Sequence, residues 1–152
     1  MKIYADTSVF GGMFDPEFDQ PTKRFFAEID AGRYRLVTSA IVAAEIEPAP
    51  KEVQKLFDRY AATAEIVEIG SDAIQLQTRY IDSGVVTRKS EEDALHVAVA
   101  TVARCDLIVS WNFKHIVHFA KIPLYNAVNV LQGYGAIAIH SPQEIVADEE
   151  EI

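Results

Sequence analysis

The feature that most restricts the fold of this chain is an alternation of short apolar runs with longer amphipathic segments. The apolar runs have the length and composition of strands, whereas the longer segments repeat apolar residues at helical spacing. Parallel strands need a crossover between them, and a helix usually supplies it. The sequence therefore predicts an α/β fold of three layers, in which helices cover both faces of a parallel sheet. The predicted strands cover residues 2–5, 34–38, 66–69, 107–110 and 136–139.

The predicted helices lie between these strands and begin or end at recognisable signals. Ser39 is a predicted N-cap, and Ser141 opens a capping-box pattern. Gly11 and Gly12 predict a turn after the first strand. Residues 121–131 fit either a loop, because they include a proline, or a helix. The other predicted helices cover residues 22–31, 40–47, 51–62, 71–82, 90–104 and 113–119, with a last one from residue 142.

Length and composition predict a single domain over residues 1–147, followed by an acidic tail at residues 148–152. The chain has 152 residues, of which 49% are hydrophobic, and this is enough to form one hydrophobic core without disulfide bonds. The single cysteine, Cys105, excludes an internal disulfide, so we expect a reducing, cytoplasmic setting. No apolar stretch reaches the roughly 18 residues of a membrane helix, so we expect no membrane association.

The net charge of −9 argues against a protein that coats nucleic acid through a general positive field. Four of the acidic residues lie in the predicted tail, and some of the others could gather around a bound cation. Such a cation would reverse the local sign of the charge. The charge therefore excludes only a general electrostatic mode of nucleic-acid binding.

The first candidate functional residue is Asp6, which directly follows the first predicted strand. Ligands of open α/β sheets bind outside the carboxyl ends of the strands, so an acid there is a candidate for chemistry. Thr7 and Ser8 add two hydroxyl groups beside it. The alternative is that these residues only cap the following turn. Asn112 follows the strand at 107–110 and offers an amide oxygen, but an Asx-turn also explains it.

Two further acidic candidates lie on predicted helices. Glu45 shares a helix face with the apolar Ile41, which predicts that it points inward, unless the helix is rotated and Glu45 lies in water. Asp93 lies in the first turn of its helix, where the macrodipole or a capping box with Ser90 also explains an acid. Its neighbour three positions later is His96, which favours an inward face for Asp93.

A doubly wound sheet would bring these four polar residues, Asp6, Glu45, Asp93 and Asn112, to one rim, the edge of the sheet at the carboxyl ends of its strands. Carboxylates gathered in this way repel one another unless a cation lies between them. Mg²⁺ and Mn²⁺ prefer oxygen ligands, and they can activate water and neutralise charge at phosphorus. The four histidines complete no zinc pattern, so we expect capping or partly buried roles for them.

These residues lie in motifs that resemble a PIN domain and occur in the order and at the spacing of that family. The resemblance covers essentially the whole chain, and the chain is similar in size to the VapC-type toxins of prokaryotic toxin–antitoxin pairs. The motifs are the strand end Ile3-Tyr4-Ala5-Asp6-Thr7-Ser8, the helix that carries Glu45, the helix start Asp93-Ala94-Leu95-His96-Val97-Ala98-Val99-Ala100, and Asp106-Leu107-Ile108-Val109-Ser110-Trp111-Asn112-Phe113-Lys114-His115.

The resemblance implies a metal-dependent ribonuclease that cleaves single-stranded RNA. Asp6 and Asp93 would bind Mg²⁺ or Mn²⁺, and Glu45 would be a further ligand or would orient the attacking water. Thr7 or Ser8 matches the hydroxyl that the family carries near its first acid. Asn112 stands where many members carry a fourth acid, a departure that bears on a second metal and on full activity.

The implied partners are an RNA substrate, an antitoxin protein and a second copy of the chain in a homodimer. Arg88, Lys89 and Lys114 are candidates for contacts with the RNA backbone. Helix residues such as Phe25, Phe26, Phe57 and Tyr60 are open between a core role and a docking face. An alternative function is a PIN-like binding module without turnover. A phosphoryl-transfer enzyme of the haloacid-dehalogenase kind is disfavoured, because Ser8 stands where that family needs a second Asp.

Overall fold

The sheet of this protein has five parallel strands in the order β3-β2-β1-β4-β5, as the computed structural model of residues 1–146 shows. The predicted parallel sheet is confirmed. Residues 147–152, which include the predicted acidic tail at 148–152, lie outside the described residues. The strands are β1 (Lys2–Ala5), β2 (Arg35–Ser39), β3 (Glu65–Val67), β4 (Leu107–Val109) and β5 (Ala138–His140).

Helices cover both faces of the sheet, which gives the predicted three layers. A short 3₁₀ turn at Arg88–Ser90 leads into the most deeply buried helix, α6. The helices are α1 (Thr7–Gly12), α2 (Asp19–Asp30), α3 (Ala40–Ile46), α4 (Lys51–Ala61), α5 (Ser71–Asp82), α6 (Glu91–Val102), α7 (Ile122–Leu131) and α8 (Pro142–Ile145). Within residues 1–146, none of these helices is long and apolar enough to cross a membrane.

The core fixes the helices against the central strands. Phe10 of α1 packs against Phe26 of α2 and Phe57 of α4, with ring centroids 5.5 Å and 5.3 Å away. Phe25, Phe26, Phe57 and Tyr60, which the sequence left open between core and docking face, are all buried. Burial of such side chains from water is the main favourable contribution to folding.

The register of β1 and β4 positions the candidate site. Ala5 pairs with Val109, so the residues that follow, Asp6 and Ser110, emerge side by side at the carboxyl edge of the sheet. Both strands are buried, as their apolar sequences predict for a parallel sheet covered on two faces.

Several local predictions are confirmed and others are wrong. Ser39 caps α3, and the capping box at Ser141 is present. Gly11 and Gly12 belong to α1 and not to a turn, and Gly12 packs closely against an indole ring. Residues 113–116 form a turn and not the predicted helix. The ambiguous segment is helix α7, whose proline lies in the first turn, where no N–H is needed.

Candidate functional site

Asp6 lies directly after β1, and its side chain is held from both sides. Its carboxyl group is buried, with only 4% of the residue exposed. The Ser8 hydroxyl donates to Oδ1 at 2.6 Å, and the Ser110 hydroxyl donates to Oδ2 at 2.5 Å. Hydrogen bonds to an ionised acceptor are short and strong, so the two serines form a clamp that fixes the orientation of the carboxylate.

The segment after β4 holds the clamp in place. The backbone N–H of Trp111 donates to Ser8 Oγ at 2.8 Å, and the N–H of Asn112 donates to Ser110 Oγ at 2.9 Å. Each serine hydroxyl therefore accepts a backbone hydrogen bond and donates to one oxygen of Asp6.

Burial leaves the charge of Asp6 poorly compensated. Burial raises the pKa of Asp6 above its usual value, and the hydrogen bonds from the serines and the neighbouring His96 only partly oppose this. Within residues 1–146, no lysine or arginine forms an ion pair with Asp6, Glu45 or Asp93. A carboxylate in this position is favoured when a cation binds next to it.

Thr7 differs from Ser8, although the sequence offers both hydroxyls. Thr7 Oγ1 is buried and has no hydrogen-bond partner among the described residues, whereas Ser8 Oγ binds Asp6. Buried polar atoms without a protein partner usually bind an ordered water or an ion. An unpaired buried hydroxyl on the residue that follows Asp6 in the sequence is therefore consistent with an ordered water or a hydrated cation.

Glu45 contacts His96 across the rim. Glu45 Oε1 lies 2.6 Å from His96 Nε2, and 35% of the Glu45 side chain is exposed. Burial lowers the pKa of His96, but the hydrogen bond to Glu45 and the charges of two aspartates outweigh burial and raise it above its usual value. These two aspartates are Asp6 and Asp93, so three predicted acidic residues act on one imidazole.

Asp93 lies in the first turn of α6 and is partly exposed. The predicted capping box is absent, since the Ser90 side chain makes no cap hydrogen bond. Asp93 is therefore not committed to the helix end through that motif. Its charge also acts on the buried hydroxyl of Tyr125, whose pKa is raised chiefly by burial.

The donor set fits a hard divalent cation in its chemistry. It contains carboxylate oxygens and one unpaired hydroxyl, and within residues 1–146 the only basic side chain that pairs with these acids is His96, which contacts Glu45. As they stand within residues 1–146, however, no three His, Cys, Asp or Glu side chains converge closely enough to hold a metal together. Mg²⁺ commonly binds one or two carboxylates directly and keeps several waters, so it does not need such a cluster.

Asn112 adopts its alternative role in this structure. Its Oδ1 accepts a hydrogen bond from the backbone N–H of His115 at 2.9 Å, which is the turn interaction that the sequence also allowed. The amide oxygen is therefore engaged in holding the loop after β4. The backbone N–H of Asn112 still contributes to the clamp through Ser110.

Of the basic residues predicted to contact RNA, Arg88 and Lys89 lie shortly before Asp93 along the chain. Arg88 and Lys89 are exposed in the 3₁₀ turn that precedes α6, and Lys114 is exposed in the loop after β4. Lys121 Nζ donates to the carbonyl oxygen of Val85 at 2.8 Å, which ties the segment before the 3₁₀ turn to the segment before α7.

Sequence reasoning missed two contributors to the site. Ser110 has no predicted role, and His96 has a predicted capping or partly buried role, whereas only 3% of His96 is exposed. The signal for Ser110 was its place at the end of a strand adjacent to β1. For His96 it was the position three residues after Asp93 on a helix that is apolar nearly all round.

Comparison with known proteins identifies one matching family and several structures with a similar fold. The model of the PIN domain matches residues 3–116. The fold is similar to VapBC2 from Rickettsia felis bound to a DNA fragment from their promoter, at 16% identity and a TM-score of 0.61, covering 93% of this chain and 98% of that chain. It is also similar to a toxin–antitoxin complex from Klebsiella pneumoniae, at 17% identity and a TM-score of 0.58, covering 78% of this chain and 93% of that chain.

A third similar structure is FitAcB from Neisseria gonorrhoeae, at 17% identity and a TM-score of 0.57, covering 94% of this chain and 99% of that chain. At such identities these likenesses concern the fold alone. Among curated proteins, no sequence matches this chain significantly.

Proposed function

The chain belongs to the PIN domain family, and from that membership we propose that it is a metal-dependent endoribonuclease that cleaves single-stranded RNA with Mg²⁺ or Mn²⁺. The observation that carries the proposal is the buried Asp6 carboxylate, clamped by two hydroxyls and without a lysine or arginine partner among residues 1–146. Such a group is poorly suited to a purely structural role, because an uncompensated buried charge lowers stability.

The proposed roles follow from what each side chain contacts. Asp6 and Asp93 would hold the ion, and Glu45 would be a further ligand or would orient the attacking water. Ser8 and Ser110 keep Asp6 in one orientation. When bound, a divalent ion supplies an activated water and neutralises the charge that develops at phosphorus.

The RNA backbone would contact exposed basic side chains near this edge of the sheet. Arg88 and Lys89 precede the helix that carries Asp93, and Lys114 follows the strand next to β1. These positive charges occupy only a small part of the surface, so they suit a protein that is acidic overall and binds an RNA strand at one place. Asn112 would support this face indirectly, through the turn that it stabilises.

We further propose that the protein is a cytoplasmic toxin of a toxin–antitoxin pair, built as one domain over residues 1–147. The similar structures named as a toxin–antitoxin complex or as VapBC2 support an antitoxin partner. Exposed apolar side chains on and before α7, among them Phe119 and Leu131, give a partner or a second copy apolar surface to cover. A homodimer is part of the same proposal.

The direct test is cleavage of a single-stranded RNA in Mg²⁺, Mn²⁺ or EDTA. Asp6→Asn and Asp93→Asn should each lower the rate by about 100-fold or more, because the ion loses a ligand. Glu92→Gln is the matched control, since Glu92 is an exposed acid in the same helical turn as Asp93. Cleavage that persists in EDTA, or that survives Asp6→Asn, would refute the metal-dependent mechanism.

Growth is the test of the toxin role. Expression of the wild-type protein should arrest growth, and expression of Asp6→Ala should not. Normal growth with an RNA-cleaving wild-type protein would reject the toxin role and leave an RNA-processing nuclease.

A second candidate function is a PIN-like module that binds RNA or protein without turnover. The observation in its favour is that Asn112 replaces an acid that many family members carry, and its amide oxygen is engaged in a turn. Binding of RNA in Mn²⁺ without any cleavage would decide for this module.

A further inference from the structure

A buried chain of hydrogen bonds runs from the core of the protein to Glu45. Ser39 Oγ lies 2.8 Å from the Tyr4 hydroxyl, which lies 2.7 Å from His96 Nδ1, and His96 Nε2 lies 2.6 Å from Glu45 Oε1. Four different elements contribute, namely the end of β2, β1, α6 and α3. Ser39, Tyr4 and His96 are buried, whereas Glu45 is partly exposed.

The direction of the last hydrogen bond follows from its chemistry. A carboxylate can only accept, so Nε2 of His96 carries a proton and donates it to Glu45. This bond is the one side-chain hydrogen bond of Glu45 within residues 1–146. The orientation of the Glu45 carboxylate therefore depends on His96.

The same network of hydrogen bonds also fixes the helix on which Glu45 lies. Ser39 Oγ accepts a hydrogen bond from the backbone N–H of Val42 at 3.4 Å, and this caps the start of α3. The network thus holds α3 at its first turn through Ser39 and near its end through His96. The network ends at the partly exposed carboxylate of Glu45, whose charge contributes to raising the pKa of Asp6.

We propose that His96 is a positioning residue that holds the Glu45 carboxylate in the orientation needed for ion and water binding, with Tyr4 and Ser39 as its support. This inference rests on the proposed nuclease function. Groups that orient the ligands of a metal typically change metal affinity or activity by about 10–100-fold when they are removed. Freed from His96, Glu45 would sample several rotamers, and only some would suit the site.

The test compares His96→Ala with His96→Gln, whose amide can still donate to Glu45. Thr101→Val is the matched control, because Thr101 is a buried hydrogen-bonded residue at the other end of α6. The measurements are kcat and KM for RNA, and Mn²⁺ affinity by electron paramagnetic resonance. We expect His96→Ala to lower kcat or Mn²⁺ affinity by about 10–100-fold while KM for RNA stays within about twofold. His96→Gln should recover part of the loss, and Thr101→Val should change neither quantity.

A double-mutant cycle separates positioning from a general structural role. If His96 acts through Glu45, His96→Ala should have little further effect in a Glu45→Gln background, whereas independent effects would add. Additive losses, or equal losses in His96→Ala and Thr101→Val, would overturn the proposal. If His96→Ala does not fold, Tyr4→Phe keeps the ring and its volume, and wild-type kcat and Mn²⁺ affinity in that variant would overturn it too.

The outcomes also separate this proposal from the nuclease function. If the wild-type protein cleaves RNA and folded His96→Ala matches it in rate and Mn²⁺ affinity, the role of His96 is rejected and the nuclease stands. If the wild-type protein binds Mn²⁺ but cleaves no RNA, the nuclease is rejected, and weaker Mn²⁺ binding by His96→Ala would still support the positioning role. A wild-type protein without Mn²⁺ affinity overturns both.

Discussion

Gly12 and Gly11 provide a matched pair of substitutions that tests the packing behind the Asp6 clamp. A Cβ atom at Gly12 would lie 2.6 Å from Nε1 and 2.7 Å from Cδ1 of Trp111, and 3.0 Å from Thr22 Oγ1. A Cβ atom at Gly11 would meet nothing within 4 Å. Both glycines lie in α1, so Gly11→Ala controls for the change of residue type.

The indole ring of Trp111 cannot easily give way to a methyl group. Its Nε1 donates to Thr22 Oγ1 at 3.0 Å, and the ring stacks on Phe18 with centroids 4.2 Å apart. An extra methyl group in a packed core usually lowers stability by about 1–3 kcal/mol, and we expect that loss for Gly12→Ala. Gly11→Ala should instead stabilise by about 0.5–1 kcal/mol, because alanine is the better helix former.

Urea unfolding measured by tryptophan fluorescence gives both values, because Trp111 is the single tryptophan of the chain. The two variants should differ by about 1.5–4 kcal/mol in free energy of unfolding. The backbone N–H of Trp111 also donates to Ser8, so Gly12→Ala should slow RNA cleavage while the protein is still folded. A Gly12→Ala midpoint at or above that of Gly11→Ala would refute this account of the packing.

Three further predictions concern charge. Asp6→Asn should raise the melting temperature in EDTA, because it removes a buried charge without a basic partner; an unchanged or lower value would contradict this. Lys89→Gln should weaken RNA binding for all sequences, and the slope of the logarithm of the association constant against the logarithm of salt concentration should become shallower by about 0.7. Lys55→Gln, on α4, should change neither the affinity nor this slope. Although burial opposes it, hydrogen bonds from the Ser141 backbone and from His140 hold the pKa of Glu144 below its usual value. The stabilisation that the Glu144 carboxylate contributes is therefore present above the usual glutamate pKa and is lost as pH falls through the lower pKa of the folded protein. Glu144→Gln should lower the melting temperature near pH 7 and should lower it less as the solution becomes more acidic, whereas Glu17→Gln should have little effect at any pH.

Much of the fold follows from the sequence, because buried strands and amphipathic helices leave distinct periodic patterns. The exceptions have local causes that a pattern does not contain. Gly11 and Gly12 favour a turn by composition, yet both are helical, and the absence of a side chain at Gly12 lets the helix approach an indole that lies about a hundred residues later in the chain. Residues 113–119 are predicted to form a helix, but residues 113–116 form a turn, in which the Asn112 side chain accepts a hydrogen bond from the backbone N–H of His115.

The site was less predictable than the fold for a related reason. Position at a strand end indicates Asp6, but the identity of its partners depends on strand order and register. Ser110 reaches Asp6 only because β4 pairs with β1, a contact that spans 104 residues. Similarly, the helical spacing placed His96 near Asp93, but it did not indicate that the imidazole binds Glu45 on another helix.

The central place of β1 in the sheet has a consequence for biosynthesis. β1 pairs on one side with β2, which the ribosome makes soon afterwards, and on the other with β4, which it makes much later. A nascent chain that has not yet released Ser110 lacks one of the two hydroxyls that hold Asp6, and a product truncated before that point can never acquire it. The pair of hydroxyls that orients Asp6 is therefore complete only after translation has passed the fourth strand.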